Sequence, residues 1–94
     1  MNLIDLFTND KPLQTKKIFA SNEGVTSIHL MEDAQLKEHI TKVPAFLVCV
    51  TGEVVFENEK GIKEKLLPGD YVNITPEVKH WINAHRDSLL LLIK

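Results

Sequence analysis

One cysteine, Cys49, is all the sequence holds among 94 residues, so no internal disulfide can form and a cysteine-rich zinc site is excluded. Thiol usage of this kind suits a reducing compartment, and the cytoplasm is the expected location. Positive charge is not in excess either: 11 Lys and Arg stand against 13 Asp and Glu, for a net charge of −2. The balance is even along the chain, with five basic and six acidic residues in 1–47 and six and seven in 48–94. No basic stripe exists, so neither nucleic acid nor an anionic membrane is an expected partner. Long hydrophobic runs are missing as well. Leu89 to Ile93 is far too short to span a bilayer, and Met1-Asn2-Leu3-Ile4-Asp5-Leu6 lacks the basic start and apolar stretch of a signal peptide. The four glycines form neither a GxGxxG nor a GxxxxGK cluster, which removes support for phosphate cradling of the dinucleotide or P-loop kind. There is no linker, internal repeat or low-complexity segment.

What is present is the composition of an ordinary globular domain, 44% hydrophobic and 26% charged, and one domain over residues 1–94 is expected. Such a short chain buries only roughly 60–70% of its unfolded surface, so an oligomeric contact would help it. Asn2 to Phe7 forms a short N-terminal helix with Asn2 as cap. From Lys16 onward, short runs rich in Val, Ile, Leu and Phe alternate with turn residues, which predicts an all-β fold. The candidate strands are Lys16–Ser21, Val25–Met31, Gln35–Thr41, Ala45–Thr51, Val54–Glu57, Ile62–Leu67, Tyr71–Ile74, Lys79–Ala84 and Ser88–Ile93. Gly52, Gly61 and Gly69 fall at the turn spacing of a sandwich or barrel, and Pro68-Gly69 suits the centre of a type II turn. Residues 33–43 fit two templates. Asp33 can cap a helix with Leu36, Ile40 and Val43 on one face, while the same stretch alternates as a strand; the histidine spacing favours the strand.

Two histidines carry that spacing and the functional signal. His39 precedes Gly52 by thirteen residues, and His80 follows Gly69 by eleven, at the end of Pro68-Gly69-Asp70-Tyr71-Val72-Asn73-Ile74-Thr75-Pro76 and Glu77-Val78-Lys79-His80-Trp81. This spacing resembles the two motifs of the cupins, over residues 33–84. In the first motif His39 and Gly52 agree, whereas Asp33 stands at the leading glycine, Thr41 at the second histidine and Ala45 at the glutamate. In the second, Gly69 and His80 agree, whereas Thr75, Glu77 and Ala84 replace the proline, glycine and asparagine.

The resemblance implies a double-stranded β-helix, a jelly-roll-like barrel whose strands point alternate residues into a pocket. His39, Thr41, Ala45, Leu47 and Cys49 share one parity, and Phe46, Val48 and Val50 share the other. If the odd set lines the interior, the even set is left bare outside. A homodimer through Phe46, Val48 and Val50 is therefore expected, the alternative being cover by the amino-terminal segment. Cupins typically hold a divalent metal with the histidines and glutamate of the first motif and the histidine of the second. Only His39 and His80 survive here, so the expected cofactor is none or a weakly held divalent ion. Cys49, four strand residues beyond Ala45, is too distant to substitute, Glu38 points away from His39, Glu77 lies at the rim, and the register of His29 is open. Cys49 is expected in the core and His85 in an exposed turn, while Trp81 either packs or lines a slot.

The implied function is small-molecule binding in a pocket with His39, Thr41 and His80 as polar anchors and Leu47 and Ile82 as walls, Tyr71 being either a pocket donor or a plain wall residue. The alternative is a metal-dependent isomerase, decarboxylase or dioxygenase that uses His39 and His80. A scaffold acting through the dimer face is a third.

Overall fold

The computed structural model describes residues 1–7, 11–19 and 24–94. Nine strands account for most of it: β1 (Leu13–Phe19), β2 (Val25–Leu30), β3 (Gln35–His39), β4 (Ala45–Thr51), β5 (Val54–Asn58), β6 (Lys63–Leu66), β7 (Tyr71–Ile74), β8 (His80–Ala84) and β9 (Ser88–Ile93). The first begins three residues before the expected Lys16, and the Ala20-Ser21 end of that expected strand lies outside the described residues. The strands form two antiparallel sheets, one ordered β1-β2-β9-β4-β7 and the other β3-β8-β5-β6. The expected N-terminal helix is one 3-10 turn, Leu3–Leu6, in which the Asn2 side chain accepts the Ile4 N–H at 2.9 Å. Four residues do not repay the cost of nucleating an α-helix.

Alternation along each strand sends one set of side chains between the sheets. Leu30, Leu47, Cys49, Val54, Phe56, Ile82, Ala84 and Leu90 are buried there as one cluster. Ala45, Leu47 and Cys49 therefore face inward, and Phe46, Val48 and Val50, all half-buried, lie on the outer face. Residues 33–43 contain no helix. Asp33 sits at φ 68 and gives its N–H to the Ala84 carbonyl, while Ala84 N–H reaches Ala34, so the segment is drawn into pairing with β8 before a helical turn can form. The Leu67–Asp70 turn has the form its Pro-Gly centre dictates: Asp70 N–H bonds the Leu67 carbonyl at 2.8 Å, Gly69 takes φ 93, and Gly69 N–H bonds Cys49 on β4.

Candidate functional site

Strand β8 lies between β3 and β5, and its pairing with β3 sets His39 directly opposite His80. Leu36 pairs with Ile82 and His39 with His80, so three residues of β3 span two of β8. This bulge cancels the ordinary alternation and lets Leu36 and His39 approach the interior from the same side. The two imidazole rings meet at a centroid distance of 4.1 Å and an interplanar angle of 62°. His80 is 1% exposed and stacks on Phe56 of β5 at 5.6 Å, whereas His39 is half-buried.

Each ring is fixed by its own strand. Nδ1 of His39 lies 2.8 Å from the Lys37 carbonyl and Nδ1 of His80 lies 3.2 Å from the Val78 carbonyl. A carbonyl can only accept, so both Nδ1 atoms donate, and each neutral ring is left with an Nε2 lone pair. Burial pushes the His80 pKa below the ordinary imidazole value. The Val78 carbonyl works the other way, and the positive charges of His39 and Lys94 add to the lowering.

This has a measurable consequence. Unfolded, His80 titrates near pH ~6.5; folded, it titrates lower, so below that pH the unfolded chain binds more protons than the native one. Stability is therefore expected to fall as pH drops from ~6.5 toward the folded pKa, by at most about 1.4 kcal/mol per pH unit. Denaturant melts at about pH 7 and about pH 5.5, compared between the wild type and His80→Gln, read this: the variant should show the smaller pH effect. An equal fall in both would remove His80 as the cause.

The other anticipated residues differ in exposure and partners. Thr41, 3% exposed, has a hydroxyl with no hydrogen-bond partner among the described residues, while its carbonyl accepts the Glu77 N–H at 2.8 Å. Leu47 and Ile82, placed in a pocket wall by the sequence, are each 1% exposed within the core cluster. Tyr71 is 57% exposed on β7, where it stacks on Phe46 at 4.8 Å. It also borders a cavity of about 370 Å³ with Phe56, Asn58, Asn73 and Thr75. Phe56 is thus a wall shared by that cavity and the imidazole pair.

The donors around the histidines do not suit a tightly held metal. Ala45, at the position of the missing glutamate, is a buried methyl group in the core. Among the described residues no three His, Cys, Asp or Glu side chains gather in a way that could hold an ion. Cys49 is fully buried, its Sγ directed to the Thr51 carbonyl at 3.4 Å, and burial, followed by the Asp70 carboxylate, pushes its thiol pKa up. It is a core side chain with little nucleophilic character. His29 pairs with Gln14 and Leu89, on the side opposite Ile28 and Leu30, and so lies outside the barrel against Phe7. Trp81 gives its Nε1–H to Glu57 at 3.3 Å, and exposed His85 bonds Glu53 at 3.3 Å.

No family model and no curated protein matches the sequence. Solved structures do match. A cupin superfamily protein from Desulfitobacterium hafniense DCB-2 aligns with a TM-score of 0.86 at 14% identity, over 98% of this chain and 84% of its own. The fold is that of the cupins. KdgF from a Halomonas species shares the cupin arrangement with a TM-score of 0.77 at 22% identity, over 90% of this chain and 82% of its own. Drosophila melanogaster CENP-C, in a crystal structure bound to CAL1, gives 0.77 at 19%, over 93% of this chain and 76% of its own. At these identities the likeness is one of cupin fold, and function has to be argued from the site.

Proposed function

We propose that this protein is a small-molecule-binding module of cupin fold whose metal site has been lost, and that it offers two imidazole acceptors to a ligand carrying hydrogen-bond donors. The observation that carries this reading is the His39–His80 contact at 4.1 Å, with both Nδ1 atoms engaged by carbonyls. Two rings held by their own strands at a centroid distance of 4.1 Å would recognise an alcohol or amide by geometry as well as by affinity. The buried, unpartnered Thr41 hydroxyl supplies a further polar group on the same segment. Long-range proton–nitrogen spectra of the rings provide the test. Small alcohols and amides should shift the Nε2 signals of the wild type and leave the remaining ring of His39→Ala unmoved. If no donor-bearing molecule moves the ring signals, the reading fails.

One observation favours the enzyme alternative: imidazoles that ligate metals commonly have the other ring nitrogen anchored on a carbonyl, as here. Metal analysis after incubation with zinc, iron, manganese or nickel separates the two readings. Substoichiometric metal, no lower in His39→Ala than in wild type, is expected. One ion per chain, lost in both His39→Ala and His80→Ala, would point instead to a metal-dependent isomerase, decarboxylase or dioxygenase.

We also infer that the chain pairs with a second copy through the outer face of the five-stranded sheet. There Phe46 and Val25 flank Ile93, Val48 lies beside Leu91, and Tyr71 covers one side of Phe46. Burying each large apolar side chain contributes on the order of 1.5–3 kcal/mol. Phe7, from the amino-terminal segment, rests on His29. Sizing on dilution should give a dimer for the wild type and a monomer for Phe46→Asp, and a monomeric wild type at all concentrations would refute the interface. Among the described residues no helix is long and apolar enough to cross a membrane. The free, buried thiol of Cys49 fits a reducing compartment, for which the cytoplasm is our proposal.

A further inference from the structure

A second cavity, of about 260 Å³, lies outside the barrel, between the amino-terminal turn and the outer surface of β2 and β9. Its apolar walls are Ile4, Phe7 and Leu89, and its polar ones include His29, Asp87 and Ser88. The Phe7 ring is stacked on His29 at 5.6 Å and 25°, which makes a flat aromatic side.

The polar groups are not equivalent. The Ser88 hydroxyl is already committed, accepting the Glu53 N–H at 3.0 Å and donating to the Arg86 carbonyl at 2.7 Å. Asp87 spends Oδ1 on the Glu32 N–H at 2.8 Å, which holds the carboxylate in place. Among the described residues the one ion pair joins His85 to Glu53, so Asp87 has no cationic side chain as partner and its Oδ2 is available. Nδ1 of His29 is shielded from solvent and so does not open into the cavity, which leaves Asp87 as the charged group available to an occupant. A fixed carboxylate beside an aromatic face and two aliphatic side chains is complementary to one chemistry, a cationic head on a compact apolar body.

We propose that this outer cavity binds a small organic cation, a protonated amine on a compact apolar body, with Asp87 taking the ammonium and Phe7 packing on the body. Ile4, 60% exposed, stands at the cavity edge and would be covered by the occupant. The site is independent of the imidazole pair.

The probe is 2-phenylethylammonium, with 2-phenylethanol and 3-phenylpropionate as neutral and anionic counterparts, followed by amide proton–nitrogen spectra. Saturable shifts are expected at residues 4–7, 29 and 87–89, with the amine binding about two- to fivefold more tightly than the alcohol, as a pair with an exposed carboxylate allows. Asp87→Asn keeps an acceptor for Glu32 N–H and should abolish the advantage of the amine, whereas His39→Ala should leave it unchanged. Equal binding of amine and alcohol, or an undiminished preference in Asp87→Asn, overturns the proposal. Shifts confined to the surroundings of His39 and His80 also overturn it, while leaving the reading of the imidazole pair intact.

Discussion

Gly52→Ala is expected to cost about 2–5 kcal/mol, a large part of the stability of a chain this size. Gly52 occupies φ 92 in the turn from β4 to β5, and a Cβ there would run into the Ser88 side chain and the Asp87 carbonyl, and come within 2.7 Å of Ser88 Cα. The left-handed backbone costs an alanine about 1–2 kcal/mol, and forcing atoms into a filled space adds about 1–3. Ser88 cannot retreat cheaply, because its hydroxyl ties Glu53 and Arg86 together at the start of β9. At about 4–8 °C per kcal/mol, the melting temperature should drop by about 8–40 °C. Gly69→Ala is the control. It has φ 93 but no atom within 4 Å of an added Cβ, so only the backbone cost of about 1–2 kcal/mol should appear. Equal losses in the two variants would show that the contact with Ser88 is unimportant.

Leu47→Ala should lower stability by about 2.5–5 kcal/mol, with Leu47→Met costing less than about 1.5. Strand parity puts Leu47 in the wall of a ligand pocket, but it is buried between the sheets against the core cluster. A side chain bordering a water-filled pocket loses little on truncation, since its outer surface is already wet. A core side chain loses both its transfer energy and the contacts of its neighbours. Denaturant unfolding therefore distinguishes the roles: a loss below about 1 kcal/mol for Leu47→Ala would mean that the interior is open there.

Much of the architecture is legible in the amino-acid order, for reasons that differ between elements. The β4 parity can be read because that strand is long, apolar and central, so that one residue of slip would exchange Ala45, Leu47 and Cys49 for Phe46, Val48 and Val50. The turns are legible because Pro68-Gly69 and Gly52 supply backbone angles that other residues resist. The meeting of His39 and His80 is suggested by motif spacing alone. The bulge that turns His39 inward carries no signature, because Leu36-Lys37-Glu38-His39 contains neither glycine nor proline. Parity also says which face a residue takes without saying whether that face is filled, and so it cannot tell a pocket wall from a packed core at Leu47 and Ile82. The outer cavity has no trace in the sequence because Phe7 and His29 are brought together only by the path of the amino-terminal segment.

Strand order has a consequence for how the chain is made. Strands β2 and β4 never touch as sheet neighbours, since β9 lies between them, and β8 likewise separates β3 from β5. During synthesis β2, β4 and β5 must wait unpaired along one edge, and β3 with no strand partner, until residues 80–93 emerge from the ribosome to fill both gaps. Nascent chains halted before that point should be held by chaperones and cut readily by proteases, and both liabilities should vanish together once the last strand is released.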